Sequence, residues 1–310
     1  MSRAVPDRRA SGSARRVRRH WTWRLAGVAI VGVGVAAFML KPVRGPPRDL
    51  SLTGDAARGA YVIRLAGCDS CHTDHDRHGA YLAGGAPLVT PFGTFYPPNI
   101  TPDPQTGIGG WTLAQFSDAH SDGEGPHGNL YPVFPYTELT LMRDQDMVDL
   151  YAAVMAAPPV AHKTPQNEVI FPFNFRPLVS GWKNLFFSPR RYHDDPSRSA
   201  AWNRGAYLAN GLAHCVACHS PLNALGAVEN GRQFTGNPIG GTGGKAPAIT
   251  AWALRADGYT DELLATMLRT GITPSAGKVG AEMGEVIADE TSHWTDQDRA
   301  AMATYLLGEP

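Results

Sequence analysis

An unbroken apolar stretch without a charge comes early. It is LAGVAIVGVGVAAFML, the sixteen residues Leu25–Leu40, set between Arg24 and Lys41. From residue 54 onward apolar positions recur at helical rather than alternating spacing. Tyr61 and Leu65 predict a first short helix that includes 57–66. Thr112 and Thr260 stand just ahead of periodic stretches, as N-caps of a middle helix. Asp144 and Asp296 open a last helix, where acids complement the helix dipole. No run reads as a committed strand, so the expected fold class is all-α. The 34 glycines and 25 prolines predict long loops between short helices.

These elements occur twice. RGAYVIRLAGCDSCH (58–72) matches RGAYLANGLAHCVACH (204–219), with one residue inserted in the second copy. PNIT (98–101) meets PAIT (247–250), and GWTLAQF (110–116) meets GYTDELL (258–264). MRDQDMVDLYAAV (142–154) meets WTDQDRAAMATYL (294–306). Order and spacing hold throughout, which is the signature of a tandem duplication. The repeats delimit a first domain at 54–157 and a second at 200–310. Between them, 158–199 is rich in proline and aromatics (FPFNFRPLVSGWKNLFF). A flexible linker is polar and Gly/Ser-rich, so this connector is expected to pack as an ordered strap, or else to present a membrane or partner surface.

Charge explains the head of the chain. Residues 1–24 carry eight arginines and one acid, while the remainder holds 20 Lys and Arg against 27 Asp and Glu. An acidic body argues against nucleic-acid binding. A basic flank before an apolar run is an export signal. Its sixteen residues fall between a cleaved signal and a spanning helix. Trp21 and Trp23 favour an uncleaved anchor, as interfacial residues. Val35-Ala36-Ala37 would suit cleavage. The reading is a cytoplasmic basic tail (1–24), a signal anchor or transmembrane helix (25–40) and a linker (41–53). The rest then lies in the periplasm, outside a bacterial inner membrane.

All four cysteines fall in two Cys-x-x-Cys-His pentapeptides, Cys68–His72 and Cys215–His219. A shared zinc would need no histidine after each pair. A redox dithiol expects a βαβ context. Covalent haem needs the whole pattern. Cys68 and Cys71, and again Cys215 and Cys218, would each bond one porphyrin, and His72 and His219 would give imidazoles to the two irons. Two haem c groups are therefore expected. For a sixth ligand, Met283 stands in the glycine-rich stretch GKVGAEMGEV, read as a loop before the last helix, and methionine sulfur suits haem iron. Met267 and Met302 read as core. At the first iron Met142 is the candidate, although its alignment with Trp294 suits packing. His127, His120 or an open iron are the alternatives. His75, His78 and His214 read as surface residues, with contact to a haem propionate as the other reading of His214. Asn99 and Asp103 read as turn chemistry, with a cation loop as the other reading.

NITPDPQTGIGGWT, LYPVFPYTELTLMRDQD, NRGAYLANGLAHCVACHSPLNALGA and the segment around Met283 resemble the cytochrome c subunits of membrane-bound periplasmic dehydrogenases, acting on alcohols, aldehydes, gluconate or related substrates. The resemblance covers residues 54–310. It implies tandem cytochrome c domains that pass electrons from a dehydrogenase catalytic subunit toward quinone, a soluble cytochrome c or a terminal oxidase. Related sequences often carry three haem domains, and often a methionine where this chain has Phe134. An open first iron would instead suit a dihaem enzyme, a peroxidase or an oxidase of small sulfur compounds.

Overall fold

The protein is described by a computed structural model, over residues 10–241 and 244–309. Thirteen α-helices run through the described residues, joined by loops and strands of two to five residues. The arginine-rich residues 1–9 lie outside the description. Helix α1 spans Ala10–Leu40 and so begins well before the apolar run. Alanine and arginine are strong helix formers, and the basic flank simply continues the helix. Its Trp23–Leu40 window has mean hydropathy 1.9 and no buried residue, which makes it long and apolar enough to cross a membrane.

The first copy contributes α2 (Ala56–Leu65), α3 (Cys68–His72), α4 (Leu113–Asp122), α5 (Tyr136–Leu139) and α6 (Asp144–Ala156). Asp55 caps α2 by accepting from the Ala57 and Arg58 amides. Thr112 and Gln115 form a capping box on α4. After the connector helix α7 (Leu178–Phe186) come α8 (Ala200–Tyr207), α9 (Cys215–Cys218), α10 (Ala251–Ala256), α11 (Asp261–Thr270), α12 (Ala281–Asp289) and α13 (Asp296–Leu307). Thr260 caps α11 as the sequence suggests. Small sheets appear that the apolar pattern does not announce. Leu88–Thr90 pairs antiparallel with Gly93–Phe95, which pairs in turn with Glu168–Val169 from the connector. Strands this short carry too few residues to show an alternation.

In each copy the first and last helices cross at a glycine. A Cβ on Gly59 would stand 1.9 Å from the Asp149 carbonyl of α6, and one on Gly205 would stand 2.0 Å from the Ala301 carbonyl of α13. The arginine before each glycine pairs across the crossing: Arg58 with Asp149 and Arg204 with Asp298, both at 2.7 Å. The inserted residue of the second copy also has a visible home. Where α2 runs straight to Leu65, α8 gives way to a π-helical turn over Leu208–Leu212, the usual way a helix absorbs one extra residue.

The copies hold each other through reciprocal contacts. The Tyr61 hydroxyl of the first donates to Asp298 of the second at 2.7 Å, and the Tyr207 hydroxyl of the second donates to Asp146 of the first at 2.5 Å. Each tyrosine oxygen also accepts the amide just ahead of the facing helix, from Thr295 at 2.9 Å and Arg143 at 3.1 Å. Met147, Leu150, Tyr207, Leu212 and Met302 belong to one core shared by both copies.

The connector packs. Its helix α7 buries Lys183, whose ammonium donates to the Asp122 and Gly123 carbonyls and to Asn129 Oδ1 at 2.7–2.8 Å. Two of those acceptors are the end of α4. The next residue, Asn184, donates to the Phe38 and Lys41 carbonyls at the end of α1. One helix therefore ties the apolar N-terminal helix to α4. Replacing Lys183 with methionine keeps the stem but leaves the Asp122 carbonyl and Asn129 Oδ1 without this donor, while the Gly123 carbonyl keeps only the Leu130 amide. We expect a loss of about 2–4 kcal/mol, given about 1–3 kcal/mol for each buried unsatisfied group and partial relaxation, read as a lower midpoint in urea unfolding.

Candidate haem-binding site

Both Cys-x-x-Cys-His segments form a single helical turn, and both start from the left-handed region: Gly67 at φ 61° and His214 at φ 39°. Glycine adopts this freely, whereas histidine is strained there by about 1–2 kcal/mol. The same scaffold follows in each copy. Gly84 donates to the His72 carbonyl and Gly236 to the His219 carbonyl, both at 2.8 Å. Leu82 N donates to Thr73 Oγ1 at 2.9 Å, and Phe234 N to Ser220 Oγ at 3.0 Å.

The histidines are oriented alike. His72 Nδ1 meets the Pro98 carbonyl at 2.7 Å, and His219 Nδ1 meets the Pro247 carbonyl at 2.8 Å. A carbonyl only accepts, so Nδ1 carries the proton and Nε2 the lone pair. This is the arrangement that orients a metal-binding imidazole and raises its basicity. Burial lowers the pKa of both rings, which keeps them neutral and able to donate to iron.

A cavity of about 2810 Å³ opens beside these turns. It is several times the ~300–1,000 Å³ of an ordinary small-molecule pocket. Cys68, Cys71, His72 and Cys218 border it, with apolar walls that include Trp111, Phe116, Leu150 and Phe234. The accessible surface of Cys71 and Cys218 faces this interior space. Burial pushes the thiols of Cys68, Cys71 and Cys215 up to about 12, and that of Cys218 up to about 11. All four are free thiols. Paired thiols, an oriented neutral imidazole and a large apolar space fit a covalently held porphyrin.

The other predicted ligands fall differently. Cys215 is half-buried and His219 is 8% exposed, and neither borders the cavity. Met283 is half-buried against the core, but it sits in the first turn of α12 rather than in a loop. The glycines around it suggest a loop, and Gly277 and the N-cap Gly280 do lie outside the helix, but Gly284 is inside it. Met142 is fully buried in the shared core and does not border the cavity, which gives it a packing role. His120 and the exposed His127 both border it. His214 is half-buried on the cavity wall rather than on the surface, while His75 and His78 are exposed. Asn99 and Asp103 commit their side chains to turns. Asn99 binds the Thr101 amide and the Val160 carbonyl, and Asp103 accepts from the Thr106 amide and hydroxyl.

Two buried carboxyls stand out only in three dimensions. Glu138 and Glu290 both border the cavity, and Glu290 accepts from Ser70 Oγ at 2.6 Å. Burial raises both to about 7. A signal for them exists in the repeat: TELTLMRDQD aligns with DETSHWTDQD, which puts a glutamate at the same place in each copy. The effect on pH dependence has a definite sign. A carboxyl raised above its unfolded value near 4.5 favours the fold when protonated. That contribution is complete below about pH 4.5 and is lost as pH rises through about 7. Stability of the parent chain should therefore fall between pH 4.5 and 7, and the Glu138→Gln/Glu290→Gln double variant should show a flatter profile in chemical unfolding over that range.

No family model matches the chain. Curated relatives do. A diheme cytochrome c-type protein of Cereibacter sphaeroides is 38% identical over 92% of this chain and 97% of its own length. A nicotinate dehydrogenase component of Pseudomonas putida is 40% identical over 94% of this chain, and the fructose dehydrogenase cytochrome subunit of Gluconobacter japonicus is 37% identical over 91%. The chain spans 25% of the former protein and 57% of the latter. With a near full-length match to one of them and two Cys-x-x-Cys-His turns that each place a cysteine on the cavity, this chain belongs to the family formed by that diheme cytochrome c and the cytochrome c subunits of dehydrogenase complexes.

Proposed function

We propose that the chain is a membrane-anchored dihaem cytochrome c that carries electrons from a dehydrogenase catalytic subunit toward the respiratory chain. Residues 54–157 and 200–310 are its two cytochrome c domains, packed as short helices behind the anchor helix. Cys68 and Cys71 hold one haem c, and Cys215 and Cys218 hold the other. His72 and His219 bind the irons through Nε2, and Met283 supplies a thioether to the second. The observation that carries this reading is the matched pair of imidazoles, each protonated at Nδ1 against a proline carbonyl beside its thiols.

When bound, each haem supplies an iron that cycles between two oxidation states. The chain does the rest. The Pro98 and Pro247 carbonyls fix the two imidazoles and keep their lone pairs free. Phe116, Leu150 and Phe234 exclude water from the cavity, which lowers the reorganisation that accompanies a change of charge. Cys71 and Cys218 line the same cavity, which puts one cysteine of each attachment turn on a shared space. The acidic body steers a basic acceptor such as a soluble cytochrome c. The apolar helix Trp23–Leu40 holds the domains on the periplasmic side of the bacterial inner membrane, with the basic head inside. The test is the intact mass of detergent-extracted protein with its haem absorbance. Two covalent haems per chain, reduced by a co-purified dehydrogenase on addition of its substrate, support the proposal. One haem or none overturns it.

A further inference from the structure

The first iron lacks an evident sixth ligand, because Met142 is sealed in the core away from the cavity. We propose that His120 fills this role, so that the first haem is held between two imidazoles, His72 and His120. The inference rests on the haem reading above and concerns the same site.

His120 lies in the last turn of α4. Its Nδ1 meets the Phe116 carbonyl, one turn back, at 2.8 Å. Nδ1 therefore carries the proton and Nε2 the lone pair, the same tautomer as His72. Among the described residues Nε2 has no hydrogen-bond partner. The side chain is 8% exposed and borders the cavity that His72 borders. Nε2 is not sealed in protein, since among the described residues the Tyr136 hydroxyl is the one fully buried side-chain polar atom without a partner, so its lone pair keeps access at the cavity wall. The ring is also held still. Phe116 packs on one side at 4.2 Å between centroids, and Phe134 meets it nearly perpendicular at 5.1 Å. The end of α4 is itself anchored by two hydrogen bonds from Lys183. A fixed, neutral, unshared imidazole nitrogen on the cavity wall is what an iron site needs from a distal residue. His127 has none of this: it is exposed on a turn.

The consequence is an asymmetric pair. A second imidazole in place of a thioether lowers an iron's reduction potential. The first haem would then be the stronger reductant and the second, with Met283, the better acceptor, which sets a downhill direction from the first copy to the second.

The experiment uses the detergent-extracted full chain, with two haems first confirmed by mass. Electron paramagnetic resonance and near-infrared charge-transfer bands then identify the ligands of each ferric iron. We expect one bis-imidazole and one imidazole–thioether haem in the parent. In His120→Ala the first haem should become high-spin and bind carbon monoxide, and added imidazole should restore low spin. In His120→Met it should return to low spin, now with a thioether charge-transfer band and a raised potential. A parent with two thioether bands or a high-spin first iron overturns the inference, and so does a His120→Ala spectrum identical to the parent's. The parent spectrum decides even where a variant does not fold. A chain whose first site carries no haem fails the underlying reading as well; two haems with a His120-independent first iron fail this inference alone.

Discussion

A chain in which Cys215 and Cys218 are both serine should lose half of its covalent haem, and with it the path to the acceptor. The second copy is built around that turn. Cys215 packs against the shared core, Cys218 faces the cavity, and His219 is fixed by Pro247. Without the porphyrin the cavity that Cys218 borders has nothing to fill it. A single large-to-small core change costs about 2–5 kcal/mol, and the loss here should exceed that range, because an entire prosthetic group is withdrawn from the packing. The damage should also spread. The second copy's α13 supplies Asp298 to Tyr61 of the first, and the second copy's Tyr207 binds Asp146. We therefore expect the remaining haem in the first copy to become more exposed and its iron easier to reach by small ligands. Intact mass, haem absorbance and turnover with the reconstituted dehydrogenase measure all three effects. Two haems still attached to the double variant, or undiminished transfer to the acceptor, would show that these cysteines do not hold a cofactor. The thiols add a kinetic expectation. Burial keeps both thiols protonated inside the fold, which disfavours attachment to an already folded chain.

Much of this was legible because the duplication writes every element twice. The cap residues Thr112 and Thr260, the starts at Asp144 and Asp296, and the burial of Met267 and Met302 follow from local pattern. Even the inserted residue of the second copy is visible in the alignment of the repeats, and it becomes the π turn Leu208–Leu212. What the pattern hides is how distant parts meet. The Tyr61–Asp298 bond joins residues 237 apart, and periodicity carries no information at that range. The same limit applies to Met142 and His120. Met142 lies between α5 and α6 and His120 in α4, each beside an apolar neighbour, and only the three-dimensional packing sends one into the core and the other to the cavity wall. Met283 reads as loop in the sequence but is helical, because glycine is a weak guide when a helix starts among several of them. The short strands lie below the length at which alternation can be recognised.

Gly205→Val should bring the protein close to unfolding. The glycine lets α8 and α13 approach until a Cβ would lie 2.0 Å from the Ala301 carbonyl and 2.6 Å from the Tyr305 Cβ. Overpacking a core typically costs about 1–3 kcal/mol. That range assumes side chains that can move aside, whereas here the obstacle is backbone in the middle of a helix. The helices must separate, and the separation breaks more than one contact. Arg204 leaves Asp298, and Asp298 is also the acceptor for Tyr61 of the first copy. A cost of about 4 kcal/mol or more is expected, a large part of the ~5–15 kcal/mol that a typical domain possesses. Gly59→Val should behave alike, because its Cβ would meet the Asp149 carbonyl at 1.9 Å. Gly110→Ala is the control, since nothing lies within 4 Å of its Cβ position, and it should change stability by no more than about 0.5 kcal/mol. Urea unfolding of the haem-loaded protein, followed by haem absorbance, separates these cases. If Gly205→Val unfolds at the same midpoint as Gly110→Ala, the close helix crossing is not what holds each copy together, and the equivalence of the two RGAY segments would be a relic of duplication rather than the hinge of both domains.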